Sequence, residues 1–282
     1  MKFTFVFPEQ SYIKGRFWCK SFFTVEPPTI AKLNSLVPQN VKREFFDERI
    51  ESINFKTKTD LVIITINTFT AYRGYKIAEK FRKRGIKVAI GGLHATLCSK
   101  EAADYADCVL VGEAELTFSK MVNDFLNNNM KKFYYADSNC DLQEVKLDRS
   151  IFKGKRYLPY RHVEVSRGCA YNCNFCTIAK VYKQNVSLRP INEIIEDIKN
   201  IGVKYIGLID ENACANLEYR KELYRAMIPL KKRWFAQMTV KGLLDKDFVE
   251  LMAQSGCFNV FIGIEAISRD VLDNMNKKHN II

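Results

Sequence analysis

The strongest constraint on this chain is an alternation. Short apolar runs rich in Val, Ile and Phe are separated by stretches of helical period. Phe3–Phe7, Lys42–Phe46, Leu61–Ile66, Lys87–Ile90 and Cys108–Val111 read as strands, because strands buried on both faces are continuous apolar runs. Ala71, Tyr75, Ala78 and Phe81 recur at helical spacing, and Gly85 supplies a stop. Ser99–Ala106 and Glu115–Asn128 read as two more helices. Such an order predicts an α/β fold with an open, doubly wound parallel sheet over residues 1–130. Ligands of such sheets sit beyond the strands' carboxyl ends. Here those ends carry Pro8-Glu9, Thr65–Thr68, Gly91-Gly92-Leu93-His94 and Gly112-Glu113.

Residues 131–161 mix Asn, Lys, Tyr and Asp without clear period and read as a connector. Residues 162–282 resume the alternation. Strands are expected at His162–Val165, Lys204–Ile209, Trp234–Met238 and Phe258–Ile264. Pro190 opens a helix whose Ile194, Ile195, Ile198 and Ile201 share a side, and Gly202 closes it. Leu217–Lys232, Lys246–Ser255 and Asp270–Asn276 supply the other helices. Four βα units in series predict part of a (β/α) barrel.

Composition narrows the class. With 47% hydrophobic and 27% charged residues, the chain has a core-forming balance. Its longest apolar run, Leu61–Ile64, is far short of the ~20 residues that span a bilayer. No cleavable leader follows Met1, so a cytoplasmic location is expected. The net charge of +12 is spread over both halves. Its densest clusters are Lys80, Arg82, Lys83, Arg84 and Lys231, Lys232, Arg233. They suit a solvated helix face better than a nucleic-acid surface.

Nine cysteines is a high count. Cys19, Cys98, Cys108, Cys140, Cys214 and Cys257 are scattered, as buried thiols in a reducing compartment can be. Cys169, Cys173 and Cys176 are not. Their Cys-x3-Cys-x2-Cys spacing lies in the loop Ser166–Ala179 that follows a strand. Three thiolates within eight residues can converge on one inorganic centre, and iron–sulfur clusters favour such ligands. Zinc competes, but structural zinc takes four ligands and no fourth is obvious nearby.

This motif, with Phe175 before its third cysteine and Ser166-Arg167-Gly168 before its first, resembles the radical S-adenosylmethionine superfamily. The resemblance implies a 4Fe-4S cluster on Cys169, Cys173 and Cys176. The remaining iron would chelate S-adenosylmethionine, and one electron would cleave the cofactor to a 5′-deoxyadenosyl radical. Phe175 would contact the adenine. Asp210 and Glu211, where relatives often carry a Gly-Gly-Glu type sequence, would meet the cofactor's amino group. Gln237 and Glu265, at the next strand ends, would face cofactor or substrate. A small electron carrier such as flavodoxin or ferredoxin would be the redox partner, and a small molecule the substrate.

The first half resembles the cobalamin-binding domain fused to a subgroup of these enzymes. That resemblance puts Thr65, Gly91, Gly92, His94, Gly112 and Glu113 near a cobalamin. No His stands in Pro8-Glu9-Gln10-Ser11-Tyr12, where a well-known version of the domain carries its cobalt ligand. The implied reaction is methyl transfer to carbon, with cyclisation or another oxidoreductive rearrangement as the alternative. Three other readings stay open at this point: an RNA-modifying relative, a zinc-binding interaction module, and an incomplete chain without activity. The last follows from length. A six-unit barrel at ~30 residues per βαβ unit exceeds what residues 162–282 hold. The expectation is therefore a truncated chain, or a barrel completed by a partner polypeptide.

Overall fold

A computed structural model describes residues 1–10, 24–144, 146–214 and 216–280. Ser11, Tyr12, Cys19 and Ile281-Ile282 lie outside them. The chain divides into two compact units, residues 1–140 with 145–158, and residues 141–144 with 159–282.

In the first unit the elements run β1 (Lys2–Phe7), α1 (Pro28–Ser35), β2 (Lys42–Asp47), β3 (Leu61–Thr65), α2 (Ala71–Arg82), β4 (Lys87–Gly91), α3 (Leu93–Leu97), α4 (Ser99–Tyr105), β5 (Cys108–Val111), α5 (Ala114–Leu126) and β6 (Phe133–Tyr135). All six strands are parallel, in the order β2-β1-β3-β4-β5-β6. The alternation of side chains along each strand explains the layering. Phe3, Phe5, Leu61, Ile63, Ala89 and Leu110 pack with Ile30, Leu33, Phe118 and Met121 of α1 and α5. Val6, Val62, Ile64, Val88, Ile90 and Val109 face the other way, onto Ile77, Ala78 and Phe81 of α2 and Ala102 of α4. Both faces are dry, so the strands carry apolar residues at successive positions.

One strand departs from the sequence expectation. β6 falls in the stretch read as a connector and pairs with β5. It is three residues long, at a sheet edge and next to Lys131 and Lys132, so it shows no run or period. Residues 146–158 also pack on the first unit. Phe152 is buried against Phe45, with ring centroids 5.7 Å apart.

The second unit contains β7 (Tyr160–Glu164), β8 (Ser166–Gly168), α6 (Thr177–Tyr182), β9 (Val186–Leu188), α7 (Ile191–Asn200), β10 (Tyr205–Ile209), α8 (Leu217–Met227), β11 (Arg233–Met238), α9 (Lys246–Gln254), β12 (Cys257–Ile262) and α10 (Arg269–Asn274). β7, β10, β11 and β12 form a parallel sheet in sequential order. That is the arrangement of a partial barrel. α7, α8 and α9 cover one face, where Trp234, Tyr224, Phe248, Ile206 and Leu208 are buried. Tyr160, His162, Phe235 and Phe261 lie on the other face. Tyr160 stacks on Phe235 at 5.6 Å, crossing β10 at Gly207, where an added Cβ would sit 1.7 Å from the Tyr160 hydroxyl. The hairpin of β8 and β9 is a further departure, because Ser166-Arg167-Gly168 has no strand-like composition. α8 stops at Met227 rather than running to Lys232, because Pro229 follows in a tighter turn.

No helix among the described residues is long and apolar enough to cross a membrane. The two basic clusters are engaged. Arg82 pairs with Asp107, Lys83 with Glu79, and Lys232 donates to the Ile201 and Val203 carbonyls.

Candidate cysteine centre at the carboxyl end of the second sheet

β8 ends at Gly168, whose φ of +86° and close approach to the Asn185 carbonyl exclude any side chain. Cys169, Cys173 and Cys176 follow in a loop that closes on itself through Cys176 N–H to the Cys173 carbonyl, 3.1 Å. The loop is tied down from a distant stretch of sequence. Asn174 N–H donates to the Met275 carbonyl at 3.0 Å, Asn174 Nδ2 to the Asn274 carbonyl at 2.9 Å, and Asn276 Nδ2 to the Asn172 carbonyl at 2.7 Å. Tyr171 stacks on His279 with centroids 3.5 Å apart. Burial and the neighbouring Lys277 and Lys241 cations push His279 down to about 4, so its ring is neutral in the stack at ordinary pH.

The thiols are half-buried. Burial pushes Cys169 and Cys173 up, and each thiolate would also repel its neighbours. Three groups act the other way. The Tyr171 backbone N–H and the Asn212 side chain favour the Cys169 thiolate, and the Lys277 ammonium favours that of Cys173. Three thiols held together against this repulsion fit a cationic inorganic centre, which removes the penalty by binding the thiolates. Three thiolates suit a multi-iron cube, on which each takes its own iron.

Glu211, just beyond β10, accepts a hydrogen bond from Gly168 N–H at 2.9 Å. Burial pushes its carboxyl up to about 7, against that hydrogen bond. Asp210 points away from the loop. It is 2% exposed and pairs with the equally buried Arg220 at 3.0 Å, and Arg220 also donates to Ser166 Oγ at 2.9 Å. Burial pushes the Asp210 carboxyl up, and Arg220 opposes that shift. Gln237 is exposed and donates to the Asp210 carbonyl at 2.6 Å. Glu265, at a φ of +64°, pairs with Lys277 at 2.5 Å. Phe175 is 53% exposed, with the Lys277 ammonium 5.7 Å from its ring centroid. Glu211, Phe175, Glu265 and the three cysteines thus belong to one neighbourhood. Asn212, Lys277, Asn174 and Asn276 join them without having been singled out from sequence.

In the first unit, the carboxyl ends of β3, β4 and β5 form a backbone shelf. Thr65 pairs with Gly91. Gly92 has a φ of +103°, and an added Cβ would lie 2.4 Å from the Ile66 carbonyl. Thr96 Oγ1 bridges the shelf, donating to the Gly92 carbonyl at 3.1 Å and accepting from Gly112 N–H at 3.0 Å. Glu113 is 8% exposed and accepts from Cys140 N–H at 2.5 Å. His94 N–H donates to the Ile66 carbonyl at 3.3 Å, and its ring turns to Thr68 and Glu101.

Residues 163–281 match the radical SAM superfamily. The chain is 34% identical over 274 residues to the bacteriochlorophyllide d C-8(2)-methyltransferase of Chlorobaculum tepidum, covering 88% of this chain and 59% of that protein. It is 28% identical to the C-12(1)-methyltransferase of the same organism, covering 78% of this chain and 51% of that one. The chain therefore spans little more than half the length of these relatives. The structure of TsrM, a radical S-adenosylmethionine methyltransferase from Kitasatospora setae with cobalamin and a 4Fe-4S cluster bound, superposes with a TM-score of 0.74 at 13% identity. The match covers 96% of this chain and 62% of that one. The cysteine motif and most of the parallel sheet behind it fall within residues 163–281, the part of the chain that matches the radical SAM superfamily.

Proposed function

We propose that this chain is the cofactor-binding part of a cobalamin-linked radical S-adenosylmethionine methyltransferase acting at carbon. The observation that carries the reading is the Cys169–Cys176 loop, with its three thiols gathered beside Glu211 and Asn212. A 4Fe-4S cluster there would supply the electron that cleaves S-adenosylmethionine. The chain's own residues do the holding. Cys169, Cys173 and Cys176 are the ligands, and Asn212 and Lys277 favour their thiolates. Glu211 is poised to ionise beside an incoming ammonium, which would draw its carboxyl back from about 7. Phe175 offers an exposed ring to the adenine. Glu265 steadies Lys277, and Gln237 presents a side chain at the mouth of the sheet. Asp210 serves by anchoring the strand end through Arg220.

Cobalamin is assigned to the shelf of Thr65, Gly91, Gly92 and Gly112, with His94 and Glu113 at its edge. The shelf suits a large, mostly apolar ring. Phe69, Tyr72, Leu97 and Leu116, in the turns and helices that follow β3, β4 and β5, are 40–67% exposed. The relatives' names supply the methyl transfer. The described cysteines are all free, in keeping with a reducing cytoplasm where a flavodoxin-like or ferredoxin-like carrier would supply the electron. The substrate is a small molecule.

The test is anaerobic incubation of the reconstituted chain with a corrinoid and methyl-labelled S-adenosylmethionine. The expected result is a corrinoid that stays with the protein through gel filtration and takes up the label. A corrinoid that elutes free, unlabelled, contradicts the cobalamin assignment.

A further inference from the structure

A second cluster of ligand-type side chains lies in the first unit, apart from the motif cysteines. We propose that His94, Cys98 and Glu101 form a binding site for one divalent transition metal, with zinc as the best chemical fit. The imidazole, thiol and carboxylate ligand atoms all lie within 4.8 Å of one another. Local sequence explains the convergence. His94 and Cys98 are four residues apart, on the turn that Cys98 N–H closes onto the His94 carbonyl at 2.8 Å. At Cys98 the backbone leaves helical geometry, with φ −121° and ψ 47°, and α4 restarts at Ser99. That break sets Glu101 back over the His94 ring.

The contacts are those of metal ligands rather than of a well-made hydrogen bond. His94 Nε2 and Glu101 Oε1 are 3.4 Å apart. That is long for N–H···O, which favours 2.7–3.2 Å. It matches the ligand–ligand edge of about 3.3–3.5 Å expected for nitrogen and oxygen donors on tetrahedral zinc. The other ring nitrogen, Nδ1, lies 3.4 Å from Thr68 Oγ1. Metal binding at Nε2 would place the ring proton on Nδ1, where Thr68 Oγ1 is a neighbouring acceptor. A second observation points into the cluster. Tyr75 is 6% exposed, its hydroxyl makes no hydrogen bond of normal geometry, and it lies near Glu101 and Cys98. A ligated Glu101 would give that hydroxyl an oriented carboxylate acceptor. The site has an open side, because the Glu101 side chain is 52% exposed while that of His94 is 12% exposed. One N, one S and one O donor favour zinc over magnesium or calcium, which take oxygen ligands. Three protein ligands leave a fourth position for water, an arrangement found at catalytic zinc sites.

The proposal does not depend on the radical chemistry, and its test keeps the two apart. In the full chain carrying Cys169→Ser, Cys173→Ser and Cys176→Ser, the motif can hold no cluster. Chelator-stripped protein of this kind is titrated with Zn²⁺ against a chromophoric chelator, and separately with Co²⁺. The expected result is one zinc per chain and a thiolate-to-cobalt charge-transfer band. Adding Cys98→Ala should remove the band, and adding His94→Ala or Glu101→Ala should weaken zinc binding about tenfold or more. Glu101 is exposed enough that its replacement leaves the fold intact, which circular dichroism checks. Absence of zinc binding in the triple variant overturns the proposal. So does binding that survives Cys98→Ala or Glu101→Ala unchanged, since the metal would then sit on other residues.

Discussion

The two parallel sheets differ in what their faces do. In the first unit both faces are packed under helices, so β3 reads Leu-Val-Ile-Ile-Thr with its first four residues buried in succession. In the second unit, among the described residues, helices pack on one face. β11 buries Trp234, Ala236 and Met238, while Arg233, Phe235 and Gln237 lie on the other side, exposed or partly so. The lesson concerns where a site can be built. The closed sheet offers only its carboxyl edge, and there the chain places glycines and backbone. The half-open sheet offers an edge and a face, and there it places cysteines, carboxylates and a floor of stacked aromatic rings.

That contrast can be broken at several points, beginning with the largest effect. Cys173→Ala should remove essentially all bound iron after anaerobic reconstitution and leave the far-UV circular dichroism of both sheets unchanged. Loss of the fold along with the iron would show that the loop is structural. Next is the ion pair beneath the half-open sheet. Arg220→Ala leaves Asp210 buried without a counter-charge, and breaking a pair of this kind costs about 3–5 kcal/mol. Urea denaturation measures it, and a cost near that of an exposed pair would contradict the burial assigned to Arg220. In the closed sheet the sensitive point is the edge. Gly92→Ala forces a side chain into a φ of +103° against the Ile66 carbonyl, which should cost about 1–3 kcal/mol. Ile63→Val, in the packed interior, should cost only about 0.5–1.5 kcal/mol.

A pH dependence completes the series. Burial raises the Glu211 carboxyl from 4.5 to about 7. Between those values the folded state holds a proton that the unfolded chain has released. Glu211 therefore favours the fold below about pH 4.5, and that contribution is lost as the pH rises through about 7. In the metal-free chain, Glu211→Gln should flatten the fall in stability across this window. An unchanged slope would mean that other groups dominate it.

Much of this was legible in the sequence because the chemistry is local. The strands of the closed sheet announce themselves as apolar runs, and the proposal of a metal centre at Cys169, Cys173 and Cys176 rests on their spacing and their place after a strand. What was not legible depends on residues far apart in the chain. Asn174 and Asn276 secure the motif loop across about a hundred positions. Lys277 reaches Glu265 and Phe175 only once α10 has folded back. β6 and the hairpin of β8 and β9 are three residues per strand, too short to show a period. Asp210 and Glu211 are neighbours with opposite fates, one turned to Arg220 and the other to Gly168. That division follows from the alternation at the end of β10, and composition does not carry it.

The central claim is that the three motif cysteines hold an iron–sulfur centre that cleaves S-adenosylmethionine. The direct measurement is anaerobic reconstitution with iron and sulfide, followed by reduction in the presence of S-adenosylmethionine. The expected result is about four irons per chain at the motif, lost in Cys173→Ala, and release of 5′-deoxyadenosine. Zinc in place of iron at these cysteines, or a full complement of iron without 5′-deoxyadenosine, would contradict it.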